Sequence, residues 1–165
     1  IEDYLDMAAK KTAALIAVSA SLGAYLGSED SELVDFFHLF GEELGIAYQI
    51  CDDILGIWGM EESTGKSVND ISQKKKSLPV VYGLWNSEGK EKEKLVKLYS
   101  QKSIGGEDIM EVKRILDHLG ARDYAKDLAE QYYYKSLTQL EATQLDTSRQ
   151  APLKETACFL LKRDF

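Results

Sequence analysis

Only two prolines, Pro79 and Pro152, interrupt this 165-residue chain. Proline lacks a backbone donor and breaks helices and central strands alike, so its scarcity leaves long uninterrupted runs. Within them apolar residues recur three and four apart, and no strand-like alternation of useful length appears. There is no convincing internal repeat or low-complexity segment. The pattern points to an all-α fold, read as one unit over 1–165.

The punctuation marks out the helices. A first helix is expected from about Glu2 to Leu26, ended by Gly27-Ser28. Ser31 resembles the N-cap of a long second helix reaching about Trp58. A polar loop follows from Gly59 to Lys76. Ser77-Leu78-Pro79 reads as the start of a short helix to about Trp85, because proline is tolerated in a first turn. Further helices are expected over about Glu91–Gln101, Glu107–Leu119, Arg122–Leu145 and Pro152–Lys162. The small residues among 13–26 suggest close packing against other helices.

Composition bounds the partners. Apolar residues make up 44% and charged residues 29%, which suits a globular chain rather than a disordered one. The net charge of -8 argues against nucleic acid, whose phosphates need a basic face. A local basic cluster is still enough for a small phosphorylated ligand. The longest weakly polar run, Ala13–Leu26, falls short of the ~18 residues a membrane span needs. Cys51 and Cys158 have no metal-ligand neighbour at CxxC spacing and read as reduced, buried small hydrophobes, which fits a cytoplasmic setting.

The chemistry concentrates between Gly45 and Pro79. On a helix, Gln49, Asp52, Asp53 and Gly56 form one stripe at i, i+3, i+4 and i+7. Ile46, Ile50, Ile54 and Ile57 form a separate apolar stripe able to enter the core. Two adjacent carboxylates repel unless water, a proton or a cation intervenes. With no His or Cys on the stripe, a hard cation such as Mg²⁺ suits it, and Mg²⁺ commonly completes its shell with phosphate oxygens. An Asp pair near a helix end is also an ordinary solvated feature, set against the negative end of the helix dipole. Downstream, Lys66 follows Thr64-Gly65 and Lys75 lies in a triple-lysine run. Such lysines either hold phosphate or simply face solvent. Asp70, between them, could orient a lysine or a metal-bound water. Lys11-Thr12 on the first helix says nothing by itself.

Together, KTAAL at 11–15, GIAYQICDD at 45–53, STGKSVNDI at 63–71 and KKKSLPVVYGL at 74–84 resemble the trans-isoprenyl diphosphate synthases, the polyprenyl synthetase family. Their order and spacing fit the family's C-terminal half, and LLKRDF at 160–165 looks like a family C-terminus. The resemblance implies the C-terminal half of the isoprenoid synthase helical fold. It implies an Mg²⁺-dependent prenyltransferase, in a homodimeric parent, that joins an allylic diphosphate to isopentenyl diphosphate. Ionisation of the allylic C–O bond, attack by the alkene and loss of a proton release diphosphate. On the matching positions, Asp52 would be the main ligand of a metal, and Asp53 a ligand or outer-shell partner. Lys11, Lys66 and Lys75 would grip the allylic diphosphate. Gln49 and the Thr12 carbonyl would aim negative dipoles at the allylic cation. Released diphosphate can serve as the base, so His38 and His118 are read as structural or solvent-facing.

Two departures qualify this expectation. The family's DDxxD reads DDILG here, so Gly56 removes a carboxylate and leaves the strength of the third metal site open. The first aspartate-rich motif and the isopentenyl-binding arginines, which belong to the N-terminal half, have no candidate in the chain. A fragment of this kind is expected to be inactive alone. A non-catalytic synthase-like regulatory or binding subunit is the alternative, supported only by Gly56. A large gain of activity on Gly56→Asp would favour it, and little change would favour a competent enzyme. A class I terpene cyclase is disfavoured, because no (N/D)xxx(S/T)xxxE set occurs on the second helix.

Overall fold

A computed structural model describes residues 1–59 and 70–161. Every regular element among the described residues is helical. The first helical run is composite: α1 spans Glu2–Ala8, a π-helical turn spans Ala9–Ala13, and α2 spans Ala14–Gly27. Sequence periodicity marks the whole run but not the π turn, where the Ala14 amide donates to the Ala9 carbonyl five residues back. After it come α3 (Ser31–Trp58), α4 (Leu78–Asn86), α5 (Gly89–Ser100), α6 (Glu107–His118), α7 (Ala121–Ala142) and α8 (Thr147–Leu161).

Three ends depart from expectation for local reasons. The cap of α3 is Asp30 rather than Ser31: its Oδ1 accepts from the Glu32 amide at 3.0 Å and the Leu33 amide at 3.4 Å. A carboxylate one residue earlier satisfies two of the orphan donors of the first turn. Helix α7 stops at Ala142, where Thr143 Oγ1 donates to the Leu140 carbonyl at 2.6 Å and Gln144 takes a left-handed φ of 55°. Helix α8 begins five residues before Pro152, because Asp146 Oδ1 accepts from the Arg149 amide at 3.1 Å and fixes the start there.

The chain forms two compact units whose boundaries fall within α3 and α7. Of the described residues, one comprises Glu2–Cys51 and 128–161; the other comprises Asp52–Asp127 with Ile1. In the first, Ala13 and Ala17 meet Gly45 and Gly41 at backbone distance. A Cβ on Gly41 would lie 2.7 Å from Ala17 Cα, so α2 and α3 pack along a seam of small residues. Phe40, Leu44, Leu140 and Ala157 form a core cluster beside it. Cys51 is buried, whereas Cys158 is only half-buried, short of the burial expected of it; both are free thiols.

In the second unit, Ile54, Ile57, Leu78, Val80, Leu95, Leu98, Val112, Ile115 and Leu116 are buried. Leu116 fills the space over Gly83, and Trp58 Nε1 donates to Asp117 Oδ1 at 2.7 Å. Tyr82 and Tyr124 stack with centroids 4.2 Å apart. The apolar stripe expected on α3 is buried along its length, from Ile46 through Ile50 and Ile54 to Ile57.

Candidate functional site

Lys11 and Thr12 lie inside the π turn. Such turns widen the helix by one residue and change which groups a helix face presents. Lys11 is exposed. Thr12 Oγ1 donates to Gln49 Oε1 at 2.6 Å, joining two residues 37 apart in sequence. Gln49 is only 6% exposed, so this bond holds a buried amide in one orientation. The structure thus pairs two of the residues the sequence singled out, through a contact that helical register alone could not supply.

The other unit assembles Asp52, Asp53, Asp70 and Lys75. Lys75 Nζ lies 3.0 Å from Asp53 Oδ1, 2.9 Å from Asp70 Oδ2 and 3.9 Å from Asp52 Oδ2. Burial disfavours the Lys75 charge, but the charge of Asp53 and the hydrogen bonds that Lys75 donates to Asp70 and Asp53 outweigh it and hold the ammonium above the usual lysine range. Lys75 reaches this place because Lys74 takes a left-handed φ of 56°, which turns the chain. The Lys74 amide donates to the Ile71 carbonyl at 2.9 Å, and the Lys75 amide to the Asp70 carbonyl at 2.9 Å.

The two adjacent aspartates have different surroundings. Asp53 is 1% exposed; its Oδ1 faces Lys75 and its Oδ2 accepts from the Leu78 amide at 2.9 Å. It therefore caps α4 from 25 residues away, while Ser77, the residue preceding that helix, makes no side-chain cap. The Asp52 side chain is 26% exposed and stands farthest from Lys75. Tyr99 is half-buried near Asp70; burial and the Asp70 charge push its phenol up, which keeps it neutral.

The oxygen-only donor set fits a hard divalent cation. Among the described residues no three His, Cys, Asp or Glu side chains stand ready to enclose a metal ion. Mg²⁺ does not require that: one or two carboxylates suffice when phosphate oxygens and water complete the shell. Asp52, the more exposed aspartate, suits direct ligation. Asp53, with both oxygens engaged, suits an outer-shell place. Sequence reasoning gave Asp70 only an orienting role, and its share of Lys75 emerges from the fold. Lys66 lies outside the described residues. His118 is exposed and lies 3.1 Å from Glu91 Oε1.

Comparison with known proteins identifies the family. A polyprenyl synthetase family model matches residues 1–119. The chain is 37% identical over 166 residues to a geranylgeranyl diphosphate synthase of Sulfolobus acidocaldarius, covering 98% of this chain and 49% of that protein. It is similar to the crystal structure of a polyprenyl synthetase from Streptomyces coelicolor, with a TM-score of 0.89 and 31% identity over 96% of this chain and 49% of that one. A polyprenyl synthase from Caulobacter crescentus, crystallised with calcium and isoprenyl diphosphate, matches with a TM-score of 0.89 and 28% identity, over 98% of this chain and 49% of that one. The chain spans about half the length of each of these relatives. With the family model covering well over half of its residues, the chain belongs to the polyprenyl synthetase family, and its all-α architecture is that of the isoprenyl synthases.

Proposed function

We propose that this chain is the C-terminal half of a trans-isoprenyl diphosphate synthase. The parent protein condenses an allylic diphosphate with isopentenyl diphosphate. The observation that carries the reading is the cluster of Asp52, Asp53 and Asp70 around Lys75, on the motif that the family resemblance assigns to diphosphate chemistry. The calcium and isoprenyl diphosphate bound to the Caulobacter relative support a divalent cation and a diphosphate as its ligands.

In this reading Asp52 would hold Mg²⁺ and Asp53 would keep the surrounding shell in place. The ion would neutralise the charge that develops on the departing diphosphate. Lys11, Lys66 and Lys75 grip the same diphosphate and favour rupture of the allylic C–O bond. Gln49, fixed by Thr12, and the Thr12 backbone carbonyl aim negative dipoles at the carbon that becomes cationic. The isopentenyl double bond attacks that carbon, and a proton lost from the adduct passes to the released diphosphate. No side-chain base is required.

A cytoplasmic homodimer is the form we propose for the parent. No helix among the described residues is long and apolar enough to cross a membrane. Leu15, Val18, Leu22 and Leu26 are exposed on α2, an apolar row suited to a second copy. The test is an assay of the full-length protein with isopentenyl diphosphate and a series of allylic diphosphates, followed by product sizing. Condensation with at least one is expected; none with any of them overturns the reading.

A further inference from the structure

Gly56 stands where the stripe of Gln49, Asp52 and Asp53 would place its fourth side chain. That space is taken. A Cβ built on Gly56 would fall on the Asp70 carboxylate, 2.9 Å from Oδ1 and closer still to Cγ and Oδ2. Real Cβ atoms do not approach within 3.0 Å, so any side chain at 56 must displace Asp70.

Asp70 cannot step aside cheaply. Its amide donates to the Gly56 carbonyl at 3.2 Å, one of the carbonyls left unpaired at the end of α3. Its own carbonyl accepts from the Lys75 amide at 2.9 Å, and its carboxylate holds Lys75 Nζ at 2.9 Å. Rotating the short side chain away from position 56 would break its bond to Lys75.

We propose that Gly56 and Asp70 are a matched pair: the glycine makes room for the Asp70 carboxylate, which supplies from outside the helix the acidic group that position 56 lacks and holds Lys75 beside Asp53. This rests on the reading of the cluster as a metal–diphosphate site. The DDILG motif is then complete rather than degenerate, and Gly56 no longer supports a non-catalytic subunit. An aspartate at 56 would meet Asp70 sterically and as a like charge. Gly56→Asp therefore brings neither a gain of function nor indifference but a loss, which Asp70→Gly relieves.

The experiment compares Asp70→Asn, Asp70→Gly, Gly56→Ala, Gly56→Asp and the combinations Gly56→Ala/Asp70→Gly and Gly56→Asp/Asp70→Gly in the full-length protein. Thermal unfolding in EDTA reads the packing without metal; calorimetric titration with inorganic diphosphate and Mg²⁺ reads the site. Both Gly56 variants should lower Tm, and adding Asp70→Gly should remove most of that drop, a non-additive cycle. Asp70→Asn, nearly isosteric, should keep the fold while weakening Mg²⁺-dependent diphosphate binding by about 10- to 100-fold. Gly56→Asp/Asp70→Gly should bind more tightly than Asp70→Gly alone. Additive shifts in Tm, or Gly56→Asp binding as tightly as the unaltered protein, overturn the pair. An unaltered protein that binds no diphosphate with Mg²⁺ overturns instead the reading of the site on which the pair depends.

Discussion

A Cβ on Gly45 would lie 2.5 Å from Ala13 Cα and 2.8 Å from Ala13 Cβ. The backbones of α3 and the π turn touch at this point, one residue from Thr12. Gly45→Ala should destabilise the protein by about 1–3 kcal/mol, the usual cost of overpacking a tight contact. Denaturant unfolding measures it. The same change pushes Thr12 from Gln49, so activity should fall further than the lost stability explains.

Asp52 and Asp53 should separate in mutagenesis. Removing Asp53, itself nearly inaccessible, takes away the α4 cap and one partner of the partly exposed Lys75. Breaking a fully buried charge pair costs about 3–5 kcal/mol; Asp53→Ala should cost less, about 2–3 kcal/mol, because Lys75 is partly exposed and Asp70 still holds it, while the lost α4 cap adds about 1 kcal/mol of that total. Asp52→Ala should cost under about 1 kcal/mol of stability, as for a partly exposed ion pair, yet weaken Mg²⁺-dependent diphosphate binding more than any other single change in the cluster. Equal loss of stability in the two variants would contradict this division.

Thr12→Val keeps the shape of the side chain and removes the donor to Gln49. The buried amide then loses a hydrogen bond, worth about 1 kcal/mol of stability. A dipole aimed at a developing charge matters most in the transition state, so kcat should drop by about tenfold or more while KM changes little. Steady-state kinetics of the full-length protein distinguishes this from weakened substrate binding, which would raise KM first.

Glu43 gives the stability a pH dependence. Burial pushes its carboxyl above the usual 4.5; Lys135 opposes the rise and Glu42 adds to it. Glu43 Oε2 is buried without a hydrogen-bond partner. Between 4.5 and the raised value the folded state holds more of this proton than the unfolded state, so its contribution is full below that window and lost as pH rises through it. Glu43→Gln should therefore raise Tm at pH 7, by roughly 1–3 °C, and leave it unchanged under acidic conditions below the window. Thermal scans at the two pH values test the crossover.

Much of the fold is legible because helices leave local marks. Gly27-Ser28 ends the first helical run, Pro79 sits in the first turn of α4, Gly105-Gly106 separates α5 from α6, and Gly120 separates α6 from α7. The stripe of Gln49, Asp52 and Asp53 is legible for the same reason, since helical register fixes its angular placement. What stands opposite a stripe depends on distant residues. Thr12 against Gln49, Asp53 under the α4 amide and Asp70 over Gly56 span 37, 25 and 14 positions respectively. Gly56 shows the difference most clearly: in one dimension it is a missing carboxylate, and in three it is the room another carboxylate occupies.

The π turn makes the length of the first helical run a functional quantity. An α-helix advances about 100° per residue, and the π turn absorbs one residue beyond an α turn: between Ala8 and Ala13 the buried positions stand five apart, where Tyr4 and Ala8, and Ala13 and Ala17, stand four apart. Deleting exposed Lys10 or Lys11 would bring Ala8 and Ala13 to α spacing, so the run could close as a plain α-helix with its buried face continuous. What would be lost is the local turn that carries Lys11 and the Thr12 partner of Gln49. Such a deletion should therefore lower activity of the full-length protein more than it lowers Tm, whereas the same deletion inside α2 would turn the preceding face away and destabilise the fold.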